Sequence, residues 1–240
     1  MKTLLALLLL APFASASQDK AARPNFVIMM CDDQRWDTMS IAGNTVLKTP
    51  NMDRIGREGL VFRNAFVVNS LCGPSRASIL TGTYSHTNGV LDNKMKADIK
   101  PDVAFMPDLL RASGYEVAFC GKSHQKSALR DRRWDYYFGY KGQGRYQNPI
   151  IAEGTDAKDA EWPGWMDDVV TDKAVGWLKG RKEKPFCLFL FFKACHRSWS
   201  RPSRLEELYK DVTVPKPALW DDAGAGKPEA FLKADNRIGG

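Results

Sequence analysis

A few places along the chain carry residue types that do chemistry at telling spacings. The most informative is the uninterrupted segment Cys72-Gly73-Pro74-Ser75-Arg76-Ala77-Ser78-Ile79-Leu80-Thr81-Gly82. Pro74 and Ser75 favour a helix start, which sets Cys72 just before a helix N-terminus. There, free backbone N–H groups and the positive end of the helix dipole favour negative charge. Arg76, one turn on, adds a full positive charge. Such a place holds an anionic substrate or an anionic sulfur nucleophile, and a buried structural cysteine beside a surface arginine fits the same residues equally well. Asp32 and Asp33, adjacent at the end of an apolar run, offer hard oxygen ligands to calcium or magnesium, or are solvated in a turn. Lys122 and His124 follow a second apolar run and His196 a third. Imidazole titrates where proton transfer near neutrality needs it, yet each histidine taken singly is weak, and Lys122 alone reads as a solvated amine. His86 fits no pattern and reads as a surface or packing residue.

The elements that must position these residues follow from periodicity. Asn25 to Met30 predicts a short buried strand ending at Cys31-Asp32-Asp33. Thr49 then Pro50 gives a helix N-cap and first-turn proline, with Gly59 as the stop. Leu60 to Val68 is a further strand candidate leading to Cys72, whose helix runs towards Leu80 and ends at Gly82. Pro107 to Ser113 predicts a helix stopped by Gly114, and Tyr115 to Cys120 a buried strand that hands over to Gly121-Lys122-Ser123-His124. Asp167 to Leu178 is helical by periodicity, and Phe186 to Lys193 is the strongest strand signal, emptying into Cys195-His196. This alternation predicts an α/β fold with a largely parallel central sheet flanked by helices. Such sheets place their active sites beyond the C-terminal ends of the strands. Asp32, Asp33, Lys122, His124 and His196 all follow strands and are thereby expected on one edge. Trp134 to Trp165 reads as aromatic, glycine-rich and irregular: a substrate-facing insertion, or loops with Trp and Tyr packed on the domain, the reading favoured for most of these aromatics.

Composition sets the outer limits. With 240 residues, 44% hydrophobic and 26% charged, the chain can bury a full core and shows no mark of disorder or of a multi-span membrane protein. Residues 1–16 stand apart: Lys2, the apolar run Leu4 to Leu10 and the small residues Ala14-Ser15-Ala16 read as a secretory signal peptide, too short to span a bilayer. Residues 17–240 are then expected as one periplasmic or secreted domain, with no membrane association beyond the signal. The net charge of +7 comes from basic residues scattered among acidic ones, as in Arg130-Asp131-Arg132-Arg133. Without a basic stripe interleaved with aromatics, nucleic-acid binding is not expected. The five cysteines lack regular spacing, which argues against a disulfide framework, although an isolated bridge stays open.

Along its whole length the Cys72 to Gly82 segment resembles the signature of type I sulfatases, in which the cysteine is oxidised to formylglycine after translation. Asp32-Asp33-Gln34, Thr49-Pro50-Asn51-Met52-Asp53, Gly121-Lys122-x-His124 and Phe191-Phe192-Lys193-Ala194-Cys195-His196-Arg197 are similar to the family in the same order. The resemblance runs from about Arg23 to the end of the chain. It departs at Ser123, commonly tryptophan in the family, and at Cys195, commonly proline; neither replaces a residue that performs chemistry. What it implies is an alkaline-phosphatase-like fold, with residues 17–240 as the N-terminal part of a catalytic domain, incomplete at its C-terminus. The activity implied is that of a sulfuric ester hydrolase acting on a sulfated carbohydrate or an aryl sulfate, and the partner implied is a formylglycine-generating maturation enzyme. It further implies that Asp32, Asp33 and the modified Cys72 ligate Ca2+, that Arg76 and Lys122 orient and polarise the formylglycine hydrate, that His124 takes a proton from it, and that His196 stands at the leaving oxygen. A hydrated aldehyde has two hydroxyls. One attacks sulfur, and deprotonating the other collapses the hemiacetal and expels sulfate.

Three other readings remain. A phosphonate or phosphate ester hydrolase of the same superfamily would share fold and aldehyde. A non-catalytic sulfate-binding remnant would keep the pocket without turnover, and a cysteine hydrolase would keep Cys72 as a thiol. The family has a further acidic motif that completes the calcium site. Asp235-Asn236 looks superficially like it, but Glu229 to Ala234 is not a strand-like apolar run and the pair comes too soon after His196. It reads as a surface turn, so the remaining metal ligands are expected beyond residue 240, with weak calcium affinity and negligible activity for these 240 residues alone.

Overall fold

The computed structural model describes residues 23–93, 98–125, 129–216, 220–221, 224 and 226–233. The expected signal peptide at residues 1–16 and the Asp235-Asn236 pair lie outside the described residues. The chain divides into two compact units, one of Met1–Asp33 with Ala65–Trp199 and the other of Gln34–Asn64 with Ser200–Gly240.

The first unit is built on a sheet whose described strands are β1 (Phe26–Met30), β2 (Glu116–Lys122), β3 (Tyr136–Tyr140), β4 (Ile150–Glu153), β5 (Ala160–Glu161) and β6 (Phe186–Phe191), in the order β1-β6-β2-β3-β4-β5. The pairings from β1 through β6 and β2 to β3 are parallel, and β4 and β5 add on antiparallel. Met30 and Gly121 both stand opposite Phe191. The C-terminal ends of β1, β2 and β6 are therefore level, and the residues that follow them leave the sheet along one edge.

Alternation along the strands divides the core between the two faces. Val117 and Phe119 of β2 and Cys187, Phe189 and Phe191 of β6 join Ala77 and Leu80 of helix α2 (Cys72–Thr81) on one face, where Met106 and Leu110 of α4 (Met106–Ala112) pack against them. Ala118 and Cys120 of β2 and Leu188 and Leu190 of β6 meet Met166, Val170 and Ala174 of α5 (Met166–Gly180) on the other. A parallel sheet covered on both faces explains why β6 reads as an unbroken apolar run rather than an alternating one.

The expected helices and the strands at 25–30, 115–120 and 186–193 are all present, with ends shifted by a residue or two. Strand β1, however, expected to be buried, is largely exposed, with Val27 46% and Met29 52% accessible, because it is the edge strand of the sheet. The strand expected over Leu60 to Val68 does not form. Among the described residues the segment pairs with no strand, and Leu60, Phe62 and Phe66 stand 81%, 80% and 90% exposed. Strand propensity needs a neighbouring strand and a surface to pack on, and apolar residues alone supply neither. Residues 134–165 are more regular than expected, since they contain β3, β4 and β5. Most of their aromatics pack: Trp134 lies against Phe105, Phe119 and Phe189, and Trp162 against Phe138.

In the second unit, α1 (Pro50–Glu58) begins at Thr49, whose hydroxyl bonds to Asp53 Oδ1 at 2.8 Å. Buried Asp53 also accepts bonds from Ser40 Oγ and the Ile41 amide at 2.8 and 3.1 Å. The Thr-Pro-x-x-Asp stretch is thus a local lock that fixes the entry to this helix. No described helix is long and apolar enough to cross a membrane.

Candidate active site

Strand ends deliver the acidic and basic residues of the site. Asp32 follows β1 and is held to the segment after β6, its amide bonding to Ala194 O at 2.9 Å while Cys195 N donates to Asp32 O at 2.8 Å. Lys122 is the last residue of β2. The residue before it, Gly121, has φ 110°, and a Cβ there would fall 1.9 Å from Phe191 O. Only glycine lets β2 lie this close to β6 at the point where Lys122 turns into the site.

Asp32, Arg76 and Lys122 form a buried ion cluster, 4%, 1% and 0% exposed respectively. The Asp32 carboxylate accepts a hydrogen bond from Lys122 Nζ through Oδ2, and its Oδ1 stands 3.4 Å from Arg76 Nη2. Arg76 also donates from Nη1 to Lys122 O at 3.1 Å and lies 5.2 Å from the centre of the Phe191 ring. Its buried Nε has no partner among the described residues. Burial alone would push the Asp32 carboxyl up; the Arg76 charge and the bond and charge of Lys122 outweigh it and hold the group below its usual range. The Asp32 carboxylate therefore stays ionised at neutral pH.

Cys72 is the first residue of α2, so the helix starts slightly earlier than Pro74-Ser75 suggests. The Gly73 amide is taken by Asn93 Oδ1 at 2.9 Å, and Gln125 Nε2 donates to Gly73 O at 2.9 Å. The thiol is half-buried. Burial raises its pKa, and the charges of Lys122 and Arg76 oppose that only in part. A helix start with Arg76 one turn on suggests an acidified thiol; the structure shows the reverse, because desolvation and the nearby Asp32 and Asp33 prevail.

His124 is lowered to about 4, first by burial and then by the charges of Lys122 and Arg76. Its Nδ1 is buried without a partner among the described residues. The ring is neutral at pH 7 and able to accept a proton. His196, 6% exposed, directs Nδ1 to Arg197 O at 2.7 Å, and its Nε2 stands 3.6 Å from Asp33 Oδ2. A ring that donates from Nδ1 to a carbonyl keeps Nε2 for other partners. His86, by contrast, is exposed and stacked on Tyr84 at 5.7 Å.

Ligand atoms of Asp32, Cys72 and His196 lie within 4.8 Å of one another. The structure thus groups Asp32 and Cys72 with His196, whereas Asp33, the other expected ligand, stands next to His196 outside that group. Two carboxylates and an oxygen-bearing side chain at position 72 suit a hard divalent cation; an unmodified thiolate suits a softer one. The five cysteines are unpaired, with Cys195 exposed and Ser123 buried on Tyr140 O at 2.9 Å.

Several contributors escaped sequence reasoning. Gln143 Oε1 accepts from Lys122 Nζ at 2.6 Å. Tyr146 donates its hydroxyl to His196 O at 2.6 Å, and Asp167, in the first turn of α5, accepts from the Lys193 amide at 2.8 Å. Lys193 is buried, its pKa lowered by burial and then by the Lys122 charge. Only Lys193 carries a signal in sequence, as an ionisable residue inside an apolar run.

The Sulfatase family model matches residues 24–218, and the chain belongs to that family. Among its relatives, the N-acetylglucosamine-6-O-sulfatase of Bacteroides thetaiotaomicron is 41% identical over 236 residues, covering 98% of this chain and 42% of that protein. An ulvan-active sulfatase of Formosa agariphila is 32% identical, covering 81% of this chain and 32% of its own length. A solved structure in complex with its substrate, D-glucosamine-2-N,6-O-disulfate, superposes with a TM-score of 0.81 at 38% identity, covering 88% of this chain and 42% of that one. The chain therefore spans less than half the length of these relatives. The fold is the α/β fold of the sulfatases, alkaline-phosphatase-like in architecture.

Proposed function

We propose that this chain is the formylglycine-bearing part of a secreted or periplasmic sulfuric ester hydrolase that removes the 6-O-sulfate of a glucosamine residue. The observation that carries the reading is the Asp32, Arg76 and Lys122 cluster set against Cys72 within an uninterrupted sulfatase signature. The choice of sugar rests on the 41% identity to the Bacteroides enzyme across nearly the whole chain.

In this reading Cys72 is converted by a maturation enzyme to formylglycine, whose hydrate supplies the nucleophilic oxygen and the hydroxyl through which sulfate is later expelled. Arg76 and Lys122 present fixed positive charge in a dry site, where it stabilises negative charge on sulfate oxygens far more than in water. His124, neutral at pH 7, takes the proton from the hydrate. His196 presents Nε2 to the leaving oxygen, with Asp33 Oδ2 3.6 Å from that nitrogen. Asp32, Asp33 and the oxygen on residue 72 would hold calcium, supplying part of its shell of six to eight oxygens and, with it, a charge that offsets the negative sulfate oxygens.

The raised Cys72 thiol disfavours a cysteine hydrolase, since a thiol above its usual pKa holds little thiolate at neutrality. The test is to express the full-length enzyme of which these residues are the expected N-terminal part together with a formylglycine-generating enzyme, establish the state of residue 72 by mass spectrometry, and assay N-acetylglucosamine 6-sulfate, an aryl sulfate and a phosphonate monoester. The aldehyde at residue 72 with sulfate release from the sugar is the expected result. Activity with an unmodified thiol, or a preference for the phosphonate, would overturn it.

A further inference from the structure

We infer that Gln143 is a positioning residue for Lys122, and that its neutrality keeps this cation available to an anionic substrate. The inference rests on the sulfatase reading above, which makes Lys122 a sulfate-facing cation.

Lys122 is fully buried, and its ammonium has three N–H bonds to place. One goes to Asp32 Oδ2 and one to Gln143 Oε1, at 2.6 Å for the second. The two acceptors fix the direction of the third bond. Asp32 reaches Lys122 from β1, on the far side of β6 in the sheet order, whereas Gln143 arrives from the loop after β3. A single acceptor would leave the ammonium free to rotate about the Asp32 contact. Two acceptors from different elements hold it.

The loop itself is built for this contact. Gly142 and Gly144, on either side of Gln143, both adopt left-handed conformations, with φ of 62° and 63°. A Cβ on Gly144 would fall 2.6 Å from the Tyr140 ring and 2.8 Å from Met166 Cε, so a larger residue there would lift the loop off the sheet. Two residues on, Tyr146 stacks on Trp165 at 4.6 Å and binds His196 O. One short loop thereby touches both a cation and a histidine of the site. This gives residues 141–148 a use that aromatic packing alone does not.

The amide is the informative part of the side chain. A carboxylate of the same shape would keep the hydrogen bond but add a second negative charge to Lys122, already paired with Asp32. The lysine would then be over-neutralised, and a sulfate ester would meet a weaker field. A residue that merely filled space would show no such dependence on charge.

Two variants of near-equal shape separate these cases in the matured full-length enzyme: Gln143→Glu and Gln143→Met. Thermal unfolding reports stability, steady-state kinetics give kcat and KM on an aryl sulfate, and calorimetry gives the affinity for inorganic sulfate. Gln143→Glu is expected to keep its Tm within a few degrees, to weaken sulfate binding and raise KM by roughly tenfold, and to change kcat less. Gln143→Met is expected to lower kcat by roughly tenfold or more through loss of a charge-assisted hydrogen bond. If both variants keep wild-type sulfate affinity and kinetics, or if Gln143→Glu and Gln143→Met lose affinity equally with a fall in Tm, the inference is wrong and Gln143 is structural. A full-length wild-type enzyme that releases no sulfate from any ester refutes the functional reading instead, and the sulfate affinities of the three proteins then decide the role of Gln143 by themselves.

Discussion

Replacing Asp32 by alanine removes the only carboxylate hydrogen-bonded to Lys122 among the described residues, and the one in ion-pair contact with Arg76. Both cations would stay in place, fully buried and close enough that Arg76 Nη1 bonds to Lys122 O. Stranding a buried charge by deleting its partner costs about 3–5 kcal/mol. Here two cations lose one anion, which places the expected loss at the upper end of that range. For a chain of this size each kcal/mol moves the midpoint by about 2–4 °C, so Asp32→Ala should lower Tm by roughly 10–20 °C. The comparison is Asp37→Ala, which breaks the more exposed Arg35–Asp37 pair and should cost no more than about 1 kcal/mol. Thermal unfolding followed by circular dichroism measures both, and adding sulfate should restore part of the loss in the first variant only. Because the Asp32 carboxyl lies below its usual 3.8, the stability it supplies is complete above that value and disappears as pH falls through the lower folded value. An Asp32→Ala protein as stable as Asp37→Ala would mean that the cluster is wet and screened, and the electrostatic account of the site would fail.

Further outcomes follow from the same geometry. His124 is depressed from 6.5 to about 4; the unfolded chain binds more protons between those values, so the His124 contribution should weaken stability as pH falls from 6.5 towards 4, and His124→Gln should flatten that slope in a pH series of melting curves. As the base, His124 should let turnover persist below pH 6 until its ring protonates near 4, and a pH–rate profile breaking near 6.5 would count against it. His196→Ala should slow sugar sulfates far more than aryl sulfates with good leaving groups, and equal slowing of both would remove His196 from the leaving oxygen. Tyr146→Phe loses the bond to His196 O and should cost about 1 kcal/mol in stability, with a fall in kcat that is absent if the 193–197 segment holds its place without it.

The architecture was legible because the signals that define it are local. An unbroken apolar run at 186–191, glycine stops at 59 and 82, and ionisable residues directly after strands suffice to predict a parallel sheet with its chemistry on one edge. The failures come where a neighbour decides the outcome. Leu60 to Val68 has strand composition but no strand to pair with. Residues 134–165 looked irregular because β3, β4 and β5 are short and interspersed with glycines, while the burial of β3 and β4 depends on α5 and on Phe119. Gln143 and Tyr146 could not be singled out, because a glutamine in a glycine-rich loop and a tyrosine among many aromatics carry no spacing that points to Lys122 or His196.

Cys72 shows most clearly how local and collective effects diverge. Its place at a helix start with an arginine one turn on predicts a stabilised anion, and Arg76 and Lys122 do lower its pKa. Burial and the carboxylates of Asp32 and Asp33 raise it more. The same arrangement makes sense for a neutral side chain. Asp32 is committed to two buried cations, His124 is held neutral, and Arg76 Nε and His124 Nδ1, without partners among the described residues, mark polar capacity that the thiol does not use. An unmodified cysteine would have to surrender its proton against this field before attacking. An aldehyde hydrate enters uncharged and needs to lose its proton only as the reaction proceeds, to a histidine already neutral enough to receive it. The electrostatics around residue 72 thus suit an oxygen nucleophile made by modification better than the sulfur that the gene encodes.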